Sequence, residues 1–274
     1  MTAAAGAPGR VSLMGLAFDA VTEEQTVDAI LGAAAAGRGG CVVTGNLEYL
    51  RAYQRAEDVR REFDNADLVV PDGTPLLWAS RIKREPLPGR VAGSDLIWSL
   101  SRAAARRGAS ILLVGGSPGT AEGAAERLCT EAPGLRVAGT LCPAPGFERD
   151  GATVDALVRE VAAARPDIVF VGLPLAKQLA LVPAVRRVLP SAWVLAVGGS
   201  FSFVSGDIRR APAWLQRAGL EWLHRLVHEP RRLFRRYVVD GIPFACRLTA
   251  YAVLWRGLTR VATRPERFVP RRPA

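Results

Sequence analysis

The sequence predicts an α/β fold: a Rossmann-like, doubly wound, mostly parallel sheet with a basic, helical C-terminal appendage. Three observations predict it. Short apolar runs rich in Val, Ile and Leu alternate with amphipathic stretches through the first 204 residues. Such alternation builds a parallel sheet covered by helices on both faces. Polar or glycine-containing segments follow several of the runs directly, where open α/β sheets bind their ligands. The charge is also divided unevenly. Residues 1–204 carry 21 basic and 21 acidic groups, whereas residues 205–274 carry 15 Arg against 5 Asp or Glu, which is the entire net charge of +10. We therefore expect a catalytic body over residues 1–208 and an appendage over residues 209–274.

The elements follow in order. The first strand is expected over 11–18. Thr22-Glu23-Glu24-Gln25 reads as a capping box that opens a helix to about Ala36. A strand over 41–44 leads to Asn46, which caps a helix expected to run through Arg61. The strand 67–70 precedes Thr74-Pro75, a cap followed by proline at the first helical position. Ser94-Asp95 opens a helix that ends near Arg107-Gly108. The strand 111–115 precedes Ser117-Pro118, a second cap-and-proline pair. Strands over 136–140, 168–172 and 193–197 complete the set. Residues 188–206 carry no charge but contain Pro190, Gly198 and Gly199, so they read as a strand and a glycine turn.

Composition bounds the function. A chain of 274 residues with 49% hydrophobic content buries a full core, and 23% charged residues argue against a disordered body. The net charge of +10 admits nucleic acid, an anionic membrane or phosphorylated substrates. No RNA-binding signature or zinc-finger spacing is present, so nucleic acid is not an expected partner. Cys41, Cys129, Cys142 and Cys246 form no C-x-x-C pair and read as small buried hydrophobes of a reducing compartment. The start, MTAAAGAPGR, lacks a signal-peptide pattern. The apolar stretch 242–262 is interrupted by Arg247, Arg256 and Arg260, which suits it to lie on a bilayer rather than cross one. In the appendage, arginines alternate with Trp214, Leu215, Trp222, Leu223, Leu226, Leu233, Phe234 and Tyr237. That mixture suits an interface carrying anionic lipid.

Candidate chemistry gathers at the strand ends. Asp72, in VVPDGTP, follows an apolar strand and precedes a helix. A carboxylate there suits a general base, and an Asp-Gly turn is the simpler structural reading. Thr44 and Asn46 end the preceding strand, with helix capping as the alternative role for Asn46. Arg90 is a lone cation in the loop PGRVAG, either a phosphate ligand or a solvated charge. Gln178 and Lys177 form a polar pair after the strand 168–172, suited to substrate hydroxyls. Neither G-x-G-x-x-G nor a P-loop occurs. Gly115-Gly116-Ser117-Pro118-Gly119 is either a phosphate cradle or a tight turn. His224 and His228 are spaced as half of a zinc site, yet no H-E-x-x-H accompanies them.

Taken together, the segments TGN at 44–46, ADLVVPDG at 66–73, RVAGSDL at 90–96, VGL at 171–173, KQ at 177–178, VGGSF at 197–201, RAPAW at 210–214, GLEWLHRL at 219–226 and EPRRLFRRY at 229–237 are distinctive. In this order they resemble the WecG/TagA/CpsF glycosyltransferases (glycosyltransferase family 26) over about residues 10–240. The resemblance implies an inverting transferase that moves a sugar, often of N-acetylmannosamine type, from a UDP-sugar. The acceptor would be a polyprenyl-diphosphate-linked sugar in cell-surface polysaccharide synthesis. It also implies a cytoplasmic protein, peripheral on the inner face of the cell membrane, whose appendage completes the site and meets an anionic membrane surface. Asp72 then resembles the catalytic base. Thr44, Asn46, Arg90 and Gln178 match the polar lining of the family pocket, and Arg225, Arg232 and Arg235 match appendage arginines that neutralise diphosphate. No metal or other cofactor is expected, and the reading is compatible with a homo-oligomer. The chain departs from the family pattern at 172–179, where the second glycine, the proline before Lys177 and a glutamate at Leu179 are missing. It departs again at Ser202, where the family tends to have Asp. The rival readings are a nucleotide-sugar enzyme of another reaction, such as an epimerase, and a non-catalytic membrane-binding relative.

Overall fold

The computed structural model describes residues 9–256. A small antiparallel hairpin comes first, with β1 at Arg10–Leu13 and β2 at Leu16–Asp19. The single strand expected over 11–18 is therefore two. Met14 and Gly15 both take positive φ values, of 50° and 88°, and reverse the chain between them. Val11, Leu13, Leu16 and Phe18 are all buried, so both strands carry apolar residues and the run reads as continuous.

The main sheet comprises β3 (Gly40–Gly45), β4 (Leu68–Pro71), β5 (Ser110–Gly115), β6 (Arg136–Leu141), β7 (Ile168–Gly172) and β8 (Trp193–Ala196). Their order is β4-β3-β8-β7-β5-β6, and every pairing is parallel. Successive side chains of a strand point to opposite faces, and here both faces are covered. Val43, Val169, Val171 and Val194 enter one hydrophobic cluster. Their neighbours Val42, Ile168, Phe170 and Leu195 enter the other. Strands buried on both sides must be apolar throughout, which is why these runs stand out in the sequence.

The helix Glu23–Ala35 carries the expected capping box at Thr22. Asn46 caps Leu47–Tyr53, its side chain accepting from Glu48 and Tyr49 N–H. The helix expected through Arg61 breaks there, and a second one, Glu57–Asp64, begins after Ala56 in extended conformation. The break lets Tyr53 and Phe63 meet edge to face, with ring centroids 6.0 Å apart. Thr74–Ile82 starts after Gly73 rather than from a Thr74 cap, with Pro75 in its first turn. Gly93–Arg107 ends at Gly108 in the left-handed region, as expected. Thr120–Glu131 starts later than Ser117-Pro118 suggested, after Gly119 at φ 81°. Of the cysteines only Cys41 is buried; Cys129, Cys142 and Cys246 are exposed, which corrects their reading as core residues.

The appendage is helical, with Ala213–Arg217, Glu221–His228 and then one continuous run. That run passes from Pro230–Phe234 through a π-helical Arg235–Gly241 into Ile242–Trp255. Its 26 residues have a mean hydropathy of 1.2 over their most apolar stretch, long and apolar enough to cross a membrane. Phe244, Leu248 and Ala252, spaced at i, i+4 and i+8, are buried in the same cluster as Leu76, Tyr49 and Val43. One face of the run is thus committed to the body. Arg260, the rest of 257–274 and the first eight residues lie outside the described residues.

Candidate active site

The site is built where β3 and β4 end side by side. Gly45 is in register with Pro71, so Asn46 and Asp72 leave the sheet together. Asp72 N–H donates to the Gly45 carbonyl at 2.8 Å, and Val91 N–H donates to the Pro71 carbonyl at 2.8 Å. The second bond brings the loop 90–93 across the strand ends. Gly93 is needed there: a Cβ at this position would come within 3.1 Å of Val197 Cα and 3.4 Å of Thr44 Oγ1. Its N–H donates to the Asp72 carboxylate.

Asp72 is pushed up to about 6, chiefly by burial. The Arg90 guanidinium opposes that rise, Glu221 and Asp95 add to it as like charges, and the Gly93 hydrogen bond opposes it. A carboxylate poised near neutrality in a strand-end crevice is the form a general base takes.

Around Asp72 lies a ring of four charges. Arg90 donates to Glu221 at 2.9 Å and to Asp95 at 3.1 Å. Arg210 donates to Asp95 and, at 3.4 Å, to Glu221. Two arginines and two carboxylates therefore close on one another, two from the body and two from the appendage. Burial alone would pull both arginine pKa values down, and the carboxylates outweigh it and hold both guanidinium groups charged. One nitrogen of Arg210, Nη2, is buried with no partner among the described residues. The turn before Glu221 is equally close. Gly219, at φ 74°, packs so near Thr74 that a Cβ would approach it to 2.7 Å.

The other residues expected from the sequence are placed as follows. Thr44 is buried and its hydroxyl donates to the Ala196 carbonyl at 2.9 Å. Asn46 caps its helix, beside Asp72. Gln178 is buried, with Nε2 donating to Leu173 O at 2.6 Å and Oε1 accepting from Tyr49 Oη at 3.1 Å. Lys177 lies 3.9 Å from Glu148 and over the Phe147 ring. Arg225 stacks over Phe203, and its buried Nε has no partner among the described residues. Arg232 pairs with Glu229, and Arg235 is exposed. Among the described residues none of these three arginines pairs with a member of the ring around Asp72. Arg236, which no sequence signal singles out, pairs with Glu48 two residues beyond Asn46. Asp95, Arg210 and Glu221 are likewise site residues that sequence reasoning misses, although each stands in one of the distinctive segments. A sequence shows their charges but not which charges meet.

At 115–119 the structure has a tight turn. Gly115 and Gly116 take φ values of 118° and 83°, and Gly116 N–H is engaged by the Gly172 carbonyl at 3.1 Å. His224 and His228 stack with ring centroids 4.2 Å apart. Among the described residues no three His, Cys, Asp or Glu side chains converge as a metal site. Leu179, at the first family departure, packs against the core. Ser202, at the second, accepts from Ile208 N–H at 2.9 Å through its carbonyl.

The fold is thus a doubly wound parallel sheet of the open α/β class, with a carboxylate of raised pKa and a ring of four charges at its strand ends. The chain belongs to the glycosyl transferase WecG/TagA/CpsF family, whose model matches residues 11–259. It is similar to an N-acetylglucosaminyldiphosphoundecaprenol N-acetyl-beta-D-mannosaminyltransferase of Bacillus subtilis (strain 168), 30% identical over 194 residues, covering 71% of this chain and 73% of the relative. The protein of the same name from Bacillus spizizenii is 32% identical over 197 residues, covering 71% and 74%.

The ring yields a prediction. Glu221→Gln removes one anion from it and leaves Arg90 freer to face Asp72. We expect a stability loss of about 1–2 kcal/mol, as for a partly exposed charged hydrogen bond. Amide exchange across 221–228 should rise, and the Asp72 pKa should fall. Unfolding curves and hydrogen exchange check the first two. Unchanged protection of this helix would show that the ring does not hold the appendage.

Proposed function

We propose that this protein is an inverting glycosyltransferase. It moves a sugar, of the N-acetylmannosamine type, from a UDP-sugar to a polyprenyl-diphosphate-linked sugar. The observation that carries this reading is Asp72, half-buried at the strand ends beside Arg90, with its pKa raised. The activity that the two relatives are named for supports the acceptor class. Asp72 takes the proton from the acceptor hydroxyl as its oxygen attacks the anomeric carbon. The bond between that carbon and the UDP oxygen breaks, and the electron pair leaves with UDP. One displacement inverts the anomeric centre. Negative charge grows on the diphosphate, and arginines are suited to receive it. Arg225, Arg232, Arg235 and Arg236 supply cations on the appendage. We assign no cofactor beyond the donor sugar.

Asp72→Asn should lower transfer by about 10²–10⁴, the usual effect of losing a general base. In the parent, activity should fall as pH drops through about 6, where the carboxylate gains its proton. Stability responds in the opposite sense. The folded pKa of about 6 exceeds the ordinary 3.8, so the fold favours the protonated form. That stabilisation is complete below the ordinary value and is lost as pH rises through about 6. The Asn variant, neutral throughout, should therefore keep or raise its Tm at pH 7. Transfer within a few-fold of the parent would remove Asp72 as the base. Isomerisation of the UDP-sugar without acceptor would favour the epimerase reading instead.

Gln in place of Arg225, Arg232 or Arg235 should lower turnover more than Tm. A chelator should leave the parent rate nearly unchanged. Loss of activity on chelation, restored by Mg²⁺ or Mn²⁺, would sink the assignment of that charge to arginines.

We place the protein on the inner face of the cell membrane, held by its appendage. Each Arg near an anionic surface contributes about 1 kcal/mol, screened by salt. Trp214 and Trp255 are 61% and 43% exposed and add apolar contact that salt does not remove. Full-length protein should pellet with anionic vesicles, less so at high salt. A chain ending before Ala211 should not pellet. Its strands should still fold, at a lowered Tm, because Phe244, Leu248 and Ala252 leave the shared core. Equal pelleting of both would show that the appendage is not the membrane element.

A further inference from the structure

Charged side chains are seldom buried without partners, because desolvation is costly. Among the described residues only two acidic or basic residues are buried, Asp19 at 1% exposure and Lys83 at 4%. Both serve the N-terminal hairpin. Asp19 ends β2, and its carboxylate accepts from Val69 N–H of β4 at 2.8 Å and from Arg10 Nε at 2.8 Å. Burial raises its pKa, and those two bonds oppose the rise. Lys83 follows the helix Thr74–Ile82, and its Nζ donates to the Ser12 carbonyl of β1 at 2.9 Å and to Glu85 at 2.6 Å.

These two charges bracket Asp72. β4 is an edge strand of the main sheet, and an edge strand carries N–H groups that no neighbouring strand takes up. Asp19 takes the one at Val69, three residues before Asp72. Lys83 stands at the far end of the helix that begins just after Asp72. The chain from Val69 to Lys83 is therefore tied to the hairpin at both ends. The helix that Asn46 opens is tied to it as well. Gln54 Nε2 donates to the Met14 carbonyl, and Tyr53 Oη donates to the Gly15 carbonyl at 3.4 Å. Met14 at φ 50° and Arg84 at φ 67° are non-glycine residues in the left-handed region, one in the hairpin turn and one beside Lys83. Such conformations persist where the surroundings over-determine them, and they cluster where geometry serves function.

We propose that the hairpin is a clasp that fixes the position of Asp72, with Asp19 and Lys83 as positioning residues for the transfer reaction. The inference rests on the proposed transferase reading. Both residues act through backbone groups, Asp19 through Val69 N–H and Lys83 through the Ser12 carbonyl. β4 has four residues and one strand neighbour, β3, so ladder pairing alone holds its end weakly. A general base must stand within hydrogen-bond reach of the hydroxyl it deprotonates. Misplacement by about 1 Å can cost roughly 10²-fold in rate. A clasp of buried charges on the free edge supplies the rigidity that the short strand lacks.

The test uses the full-length enzyme with a UDP-linked N-acetylmannosamine donor and a diphosphate-linked amino-sugar acceptor. Asp19→Ala should lower kcat about 10–100-fold and leave KM for both substrates within about twofold. Asp19→Asn keeps an oxygen for Val69 N–H and should recover most of that loss. Lys83→Met should act as Asp19→Ala does. Val161→Ala is the control. Val161 is buried in the helix Gly151–Ala164, which joins β6, the opposite edge strand, to β7. This variant should lower Tm and leave kcat within about twofold. A second measurement needs no turnover. The Asp72 amide donates to the Gly45 carbonyl, and its hydrogen exchange should quicken in Asp19→Ala and Lys83→Met more than in Val161→Ala.

If the hairpin variants lose no more kcat than Val161→Ala, the hairpin is a structural cover only; the proposal falls and the transferase reading stands. Asp72 exchange no faster than in Val161→Ala overturns it in the same way. Asp19→Asn as slow as Asp19→Ala would show that the bond to Val69 is not the means, and would overturn it too. If the parent transfers no sugar, the transferase reading fails, and Asp72 exchange alone decides for or against the clasp. If Asp19→Ala does not fold, Lys83→Met decides the matter: lowered kcat with faster Asp72 exchange supports the clasp, and values like those of Val161→Ala overturn it.

Discussion

The site depends on four charges that close on one another. Arg90 and Asp95 belong to the body, and Arg210 and Glu221 belong to the appendage. A partly buried ion pair adds little stability, because desolvation offsets most of the Coulomb attraction. Its value lies in registry. Each arginine meets two carboxylates, so a shift of the appendage by one residue would strand charges on both sides. The contact of Gly219 with Thr74 fixes the same junction by shape, since no side chain fits at 2.7 Å. Charge and backbone together hold Glu221 against the loop that carries Arg90.

The sheet was legible because burial on both faces leaves only apolar choices. Cys41, Val42 and Val43 of β3 enter opposite cores in alternation, and so do Ile168 through Val171 of β7. No polar side chain interrupts either stretch. The hairpin was not legible, since Met14 is no turn former and the apolar run continues through it. Nor was the break at Ala56, where neither proline nor glycine marks the chain. The break brings Tyr53 and Phe63 together across it, a tertiary contact that helix propensity does not register. The caps at Thr74 and Ser117 failed for a related reason. Glycines at 73 and 119 stand closer to the first helical turn and take its boundary.

The site was legible in position but not in pairing. Asp72 and Asn46 were found because the ends of parallel strands are where such folds place chemistry. Arg90 was found as a charge, yet its partners lie 5 and 131 residues away. Gln178 read as an available amide, whereas the fold spends its hydrogen bonds on Tyr49 and Leu173. Tyr49 itself, its pKa pushed up to about 12 chiefly by burial, is a core residue with one polar tip that requires such a partner. Composition could not show this, because a buried amide and a ligand-facing one look alike until the neighbours are known.

The ring and the base are also coupled in a definite direction. Burial, Glu221 and Asp95 raise the Asp72 pKa, and Arg90 lowers it. Glu221 arrives with the appendage, at the start of its helix Glu221–His228. With the appendage withdrawn, the carboxylate would lose one like charge. Arg90 would lose Glu221 as a partner and attract Asp72 more fully. All of these changes lower the pKa of Asp72. The raised pKa of Asp72 therefore belongs in part to the arrangement in which Glu221 faces it. Arg225, Arg232, Arg235 and Arg236 lie on the same appendage, so the charge that raises the Asp72 pKa and these cations are positioned by one element.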